Sequence, residues 1–76
     1  MQVKVNGELT TLPDGLTVRQ LLEQLAIVPE RVVVELNLTI LKRAEHERTP
    51  LKEHDEVEIV RFIGGGSQAV NGSMRE

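Results

Sequence analysis

The sequence predicts an α+β fold, one mixed sheet of four or five strands packed on a single main helix. Three observations carry this. An alternating stretch at the start holds an Asn6-Gly7 turn, a helical period follows at Val18, Leu21, Leu22 and Leu25, and two later runs, "RVVVELN" and "VEIVRF", are rich in β-branched residues. A chain of 76 residues builds one modest core, and a lone amphipathic helix needs one sheet face to cover.

The first element is a hairpin. Val3 and Val5 alternate with Gln2 and Lys4, Asn6-Gly7 supplies the positive φ angles of a two-residue turn, and residues 8–12 return as the second strand. Pro13-Asp14-Gly15 then breaks the pairing. The helix follows with a full start signal. Thr17 caps the first turn, Gln20 completes a capping box, and Leu16 with Leu21 forms the accompanying hydrophobic staple. Pro29 is expected to limit this helix to about three turns.

"RVVVELN" reads as a buried strand and "TILK" as a short one after a turn near Asn37. "RAEHERTP" is polar, irregular or a single helical turn. "LKEHDEVEIVRF" is a charged turn leading to a last strand over 57–62. Nothing is periodic from Gly64 onward. The expected division is therefore a domain over 1–63 and a flexible, glycine-containing C-terminal tail over 64–76. The order of hairpin, helix, strand, short strand and final strand, in so short a chain, is that of a β-grasp, the ubiquitin-like architecture. There the first and last strands lie parallel at the sheet centre, and the last strand delivers the tail.

Composition narrows the function. There is no cysteine, hence no disulfide, thiolate metal site or cysteine nucleophile. Phe62 is the only aromatic residue and the net charge is -3, which argues against nucleic-acid binding. No apolar run approaches membrane-spanning length and no basic-then-apolar leader opens the sequence, so a cytoplasmic protein without a membrane partner is expected. His46 between Glu45 and Glu47, and His54 between Glu53 and Asp55, lack recognisable metal-ligand spacing and read as exposed, solvated turns. Glu56 and Glu58 share a strand face without forming a catalytic dyad. The glycines form neither a dinucleotide turn nor a Walker loop, so no metal, no bound cofactor and no enzymatic activity are expected.

"VNGE", "LPDGLTVRQLLEQL", "PERVVVELN" and "DEVEIVRFIGGG" occur in that order between Met1 and Gly66. In this the chain resembles the ThiS family, the ubiquitin-like sulfur carriers of thiamine-thiazole biosynthesis. The resemblance implies that Gly65 or Gly66 becomes the sulfur-carrying terminus, with Gly64 giving reach. It implies three partners: an E1-like adenylating enzyme of the ThiF type that uses ATP, a sulfur donor such as a cysteine desulfurase or rhodanese, and a thiazole synthase of the ThiG type. Glycine suits such a terminus because it lacks a Cβ and leaves the carbonyl unhindered. Carriers for molybdopterin or cysteine synthesis share the fold and the glycine end, and a non-conjugated ubiquitin-like interaction module shares the fold.

Three positions depart from the family pattern. His54 stands at a turn position where glycine is common, and Leu38-Thr39 follows Asn37 where small or polar residues are usual. The third departure is chemical: Ser67 to Glu76 follow the glycines, and an internal glycine carbonyl is an amide that cannot be adenylated. The carrier reading requires a chain ending at Gly65 or Gly66, whether the remaining residues are removed by processing or are foreign to the natural protein. A homologue that has lost the carrier role is the remaining alternative. Alternation along the last strand also places Val60 and Phe62 toward the open sheet face, with Val33 beside them. These three are candidates either for partner docking or for completing the core.

Overall fold

The computed structural model describes residues 1–62. Ile63 and the segment holding Gly64, Gly65 and Gly66, with the expected tail over 64–76, lie outside the described residues. Five strands form one sheet: β1 (Gln2–Val5), β2 (Glu8–Thr11), β3 (Val32–Leu36), β4 (Thr39–Leu41) and β5 (Glu56–Arg61), in the order β2-β1-β5-β3-β4. β1 and β5 are parallel neighbours, and every other pairing is antiparallel. This is the expected β-grasp arrangement, with the last strand central.

The helix α1 (Val18–Gln24) begins as its residues dictate. Thr17 Oγ1 accepts from the Gln20 amide at 3.1 Å, and Gln20 Oε1 accepts from the Thr17 amide at 2.9 Å, closing the capping box. Its end differs from expectation. The helix has 7 residues and stops before Pro29 is reached. The Ala26 amide donates to Glu23 O (3.0 Å) and the Ile27 amide to Leu22 O (2.9 Å), a Schellman motif with Ala26 at φ 58°. Alanine occupies the place where glycine normally announces such a stop. Leu25, placed on the apolar stripe by its spacing, is therefore the C-cap and is 45% exposed. Pro29 instead opens a short 3-10 turn, Pro29–Arg31.

The core lies between α1 and one sheet face. Val18, Leu21 and Leu22 of the helix meet Val3, Val32, Val34 and Val57 of the sheet, with Leu12 and Leu51 closing the ends. All are aliphatic, as a chain with one aromatic residue requires. A second 3-10 segment, Arg43–Arg48, packs beside α1, tied to it by Arg19 bonding Glu47 at 2.8 Å.

Both hairpins turn on asparagine. The β1–β2 turn is Asn6 (φ 49°) and Gly7 (φ 83°), and the β3–β4 turn is Asn37 (φ 51°) and Leu38 (φ 71°). These are the paired positive angles of a type I′ turn. The second turn reaches them with a leucine that is 87% exposed. His54 likewise adopts φ 72°, so the strain expected at this glycine-like position is present in the backbone.

Candidate functional site

The sheet has one covered and one open face, and its register assigns each side chain. Val57 is buried and Ile59 packs against the core, so alternation turns Glu56, Glu58 and Val60 of β5 to the open face. On β3, Val32 and Val34 point inward, which leaves Val33 and Glu35 outward. Val33 stands directly opposite Val60, and Glu35 opposite Glu58. Phe62 lies one step past β5, where its amide donates to Arg31 O at 2.9 Å, continuing the ladder. The same alternation sets Phe62 on the open face, and it is 37% exposed. Val33 and Val60 are half-buried there. The structure thus brings Val33, Val60 and Phe62 together outside the main core, at the end of β5 that leads into the glycine segment.

β5 is held by groups that strand patterning does not reveal. The Asn6 amide donates to Val57 O (2.8 Å), extending the parallel ladder past Val5. The Asn6 side chain then acts as one more peptide unit: its Oδ1 accepts from the Ile59 amide (2.6 Å) and its Nδ2 donates to Ile59 O (3.2 Å). From the other side, Asn37 Oδ1 accepts from the Glu56 amide at 2.9 Å, and its Nδ2 donates to Asp55 Oδ1 at 3.1 Å. Sequence reasoning assigned Asn6 only to turn geometry. Both asparagines also clamp the strand that carries the C-terminal segment.

His46 corrects a second expectation. It was expected in an exposed turn, yet it is only 4% exposed, because the Arg43–Arg48 segment folds against α1 and turns this side chain inward. Among the described residues neither ring nitrogen has a hydrogen-bond partner. Burial pushes the imidazole below its ordinary value. The Leu41 backbone opposes this electrostatically, without hydrogen-bond geometry, and the Arg43 guanidinium reinforces it. Both ring nitrogens are buried, so His46 serves here as a packing group. The His54 turn is exposed as expected. Its neighbours serve the backbone, Glu53 accepting from the Gln2 amide at 3.2 Å and Asp55 from the Lys52 amide at 2.8 Å. Among the described residues no group of three or more His, Asp or Glu side chains could hold a metal ion, and no helix is long and apolar enough to cross a membrane.

A five-stranded mixed sheet on one helix, with a parallel first and last strand and the C-terminal segment leaving the sheet centre, defines a ubiquitin-like β-grasp protein. The comparisons carry this further. The ThiS family model matches residues 3–66, most of the chain, and the chain belongs to that family. It is similar to the thiamine biosynthesis protein ThiS of Geobacter metallireducens, whose crystal structure superposes with a TM-score of 0.76 at 39% identity, over 87% of this chain and 100% of that one. It is also 39% identical over 66 residues to a thiazole synthase of Magnetococcus marinus, covering 87% of this chain and 20% of that protein. An uncharacterized protein, ycf40, of Porphyra purpurea is 32% identical over 66 residues, 87% of this chain and 93% of that one. The chain spans about a fifth of the length of the thiazole synthases it matches.

Proposed function

We propose that this chain is a sulfur carrier for the synthesis of the thiamine thiazole, acting through a glycine carboxylate at Gly65 or Gly66. The observation that carries the reading is the family match, which runs through the strand that ends the fold and on to Gly66. A protein-bound carboxylate is a poor electrophile. An adenylating partner joins it to AMP from ATP, releasing pyrophosphate, and so supplies a good leaving group. The terminal sulfur of a donor persulfide attacks the carbonyl and expels AMP, forming an acyl disulfide. A second thiol attacks the donor's sulfur of that bond, leaving a thiocarboxylate on the carrier and a disulfide on the donor side. The carrier contributes reach and an unhindered carbonyl rather than catalysis, so no catalytic residue and no bound cofactor are assigned to it.

Relatives named thiazole synthase that contain a stretch like this chain support a thiazole synthase as the acceptor of the sulfur. Val33, Val60 and Phe62 form the docking patch beside the exit of the glycine segment, where partner contact also orients the terminus. Because Ser67 to Glu76 follow the glycines in the sequence, the reaction needs a chain freed at Gly65 or Gly66.

The test is intact-mass spectrometry of chains ending at Gly65 and at Gly66, incubated with the adenylating enzyme and persulfide donor of the same organism and ATP. The expected result is an adenylate, then the mass gain of one oxygen exchanged for sulfur. Absence of both species from both glycine-ended chains, with partners shown active on another carrier, sinks the proposal. Transfer of the sulfur to a molybdopterin or cysteine pathway, rather than to thiazole synthase, would replace the pathway and keep the chemistry.

A further inference from the structure

Along its two central strands the open sheet face is divided by length, while the edge strands add exposed Ile40 opposite Glu35 and Leu9 opposite Lys4. From the glycine segment backward, β5 shows Phe62 and Val60, then Glu58 and Glu56. β3 repeats the order in register, with Val33 opposite Val60 and Glu35 opposite Glu58. Same-face residues along a strand are about 6.6 Å apart, so the acidic band begins about 7 Å behind Val60 and ends about 13 Å behind it. Lys4 beside Glu56 is the cation within this band. Arg31 and Lys42, just outside β3 and β4, flank the apolar end, so negative potential is concentrated at the rear of the face. Among the described residues the carboxylates of Glu56 and Glu58 have neither a hydrogen bond nor an ion pair. Like charges directly across a strand pair, as at Glu35 and Glu58, work against the sheet's own stability.

We propose that the acidic band of Glu56 and Glu58, with Glu35 beside them, is an electrostatic docking element. Its occupant is a strip of Lys and Arg side chains on the adenylating enzyme, set about 7–13 Å from the apolar socket that takes Val60 and Phe62. This rests on the carrier reading and adds to it the partner's surface chemistry. Charge complementarity selects that partner. An enzyme that binds the triphosphate of ATP beside a carboxylate must concentrate cations there, and its positive potential attracts a carrier of net charge -3. The carrier must also be released after each cycle. Exposed charge pairs speed association without the slow release of a large apolar seal. The order along β5 and β3, apolar at the front and acidic at the rear, favours one orientation, with the glycine segment aimed forward.

The experiment measures kcat/KM for adenylation of a Gly66-ended chain by the adenylating enzyme of the same organism, across a salt series. Glu56→Gln and Glu58→Gln are each expected to lower kcat/KM at low salt about threefold, the worth of a unit-charge pair about 7 Å apart in water, and the double variant about tenfold. Wild type and double variant should converge near 1 M salt, where the screening length is about 3 Å. Glu8→Gln, on the helix-covered side of the sheet edge, removes the same net charge and should lower the rate far less than either substitution in the band. Melting temperatures of the Gln variants should match or exceed wild type, which separates docking from folding. An adenylated wild type with a double variant within twofold of it overturns the acidic band and leaves the carrier reading standing. So does an equal loss from Glu8→Gln. A wild type adenylated neither as a Gly66-ended nor as a Gly65-ended chain overturns both.

Discussion

The two hairpin turns form a natural exchange experiment. Both are type I′, both begin with asparagine, and they differ in the second residue, Gly7 at φ 83° and Leu38 at φ 71°. A side chain at such an angle costs about 1–2 kcal/mol relative to glycine, from the clash of Cβ with the backbone. Glycine returns about 0.4–1 kcal/mol of this through the greater freedom of the unfolded chain. Leu38 is 87% exposed, so its removal forfeits almost no burial. Leu38→Gly should therefore stabilise the fold by about 0.5–1 kcal/mol, raising the melting temperature by about 2–8 °C for a domain of this size. The reciprocal Gly7→Leu should cost a similar amount, because a Cβ there meets nothing within 4 Å and only the backbone angle resists it. Urea denaturation at equilibrium with both probes in the far ultraviolet gives each value directly. If Leu38→Gly destabilises the protein, or Gly7→Leu is neutral, backbone strain is not what distinguishes the turns.

Two further outcomes follow from buried or shared polar groups. His46 is held below its ordinary value of 6.5, so the unfolded chain takes up a proton that the folded one refuses. Its contribution is constant above about pH 6.5, falls as pH drops below that, and levels off beneath the folded value. His46→Leu should remove this component from a stability-versus-pH curve and leave the neutral-pH stability equal or higher by about 1 kcal/mol, since two unpartnered nitrogens leave the interior. An unchanged acid slope in the variant would refute the assignment. Asn6→Gly keeps the positive φ but deletes both side-chain bonds to Ile59, and should cost about 1–2 kcal/mol with faster hydrogen exchange at the Ile59 amide. A loss confined to the turn, with Ile59 exchange unaltered, would show that the clamp is not used.

Much of the fold was legible because local and tertiary signals agreed. Asn6-Gly7, the Thr17–Gln20 box and the β-branched run before Asn37 each use chemistry that few other structures satisfy. The end of α1 was not legible: its Schellman turn is closed by Ala26, and the expected glycine signal is missing. His46 was hidden by its setting, since the flanking Glu45 and Glu47 mark a solvated segment and only contact with α1 turns one side chain inward. On the candidate site, alternation alone was enough to put Val60 and Phe62 on one face. The opposition of Glu35 and Glu58 required the register between β3 and β5, which no local pattern encodes. The reach of Asn6 to Ile59 spans 53 positions and depends on the same long-range pairing.

That reach makes the central strand unevenly moored. As far as Ile59, β5 is bonded on both edges, to β1 and Asn6 on one side and to β3 on the other. Past Ile59 the first edge is bare. Arg61's amide and carbonyl face it, and among the described residues nothing receives them, while Phe62 remains tied to Arg31 alone. Restraint therefore decreases stepwise along the strand, from two ladders to one, before the glycines begin. A partner bending the segment beyond Ile59 works against a single row of hydrogen bonds.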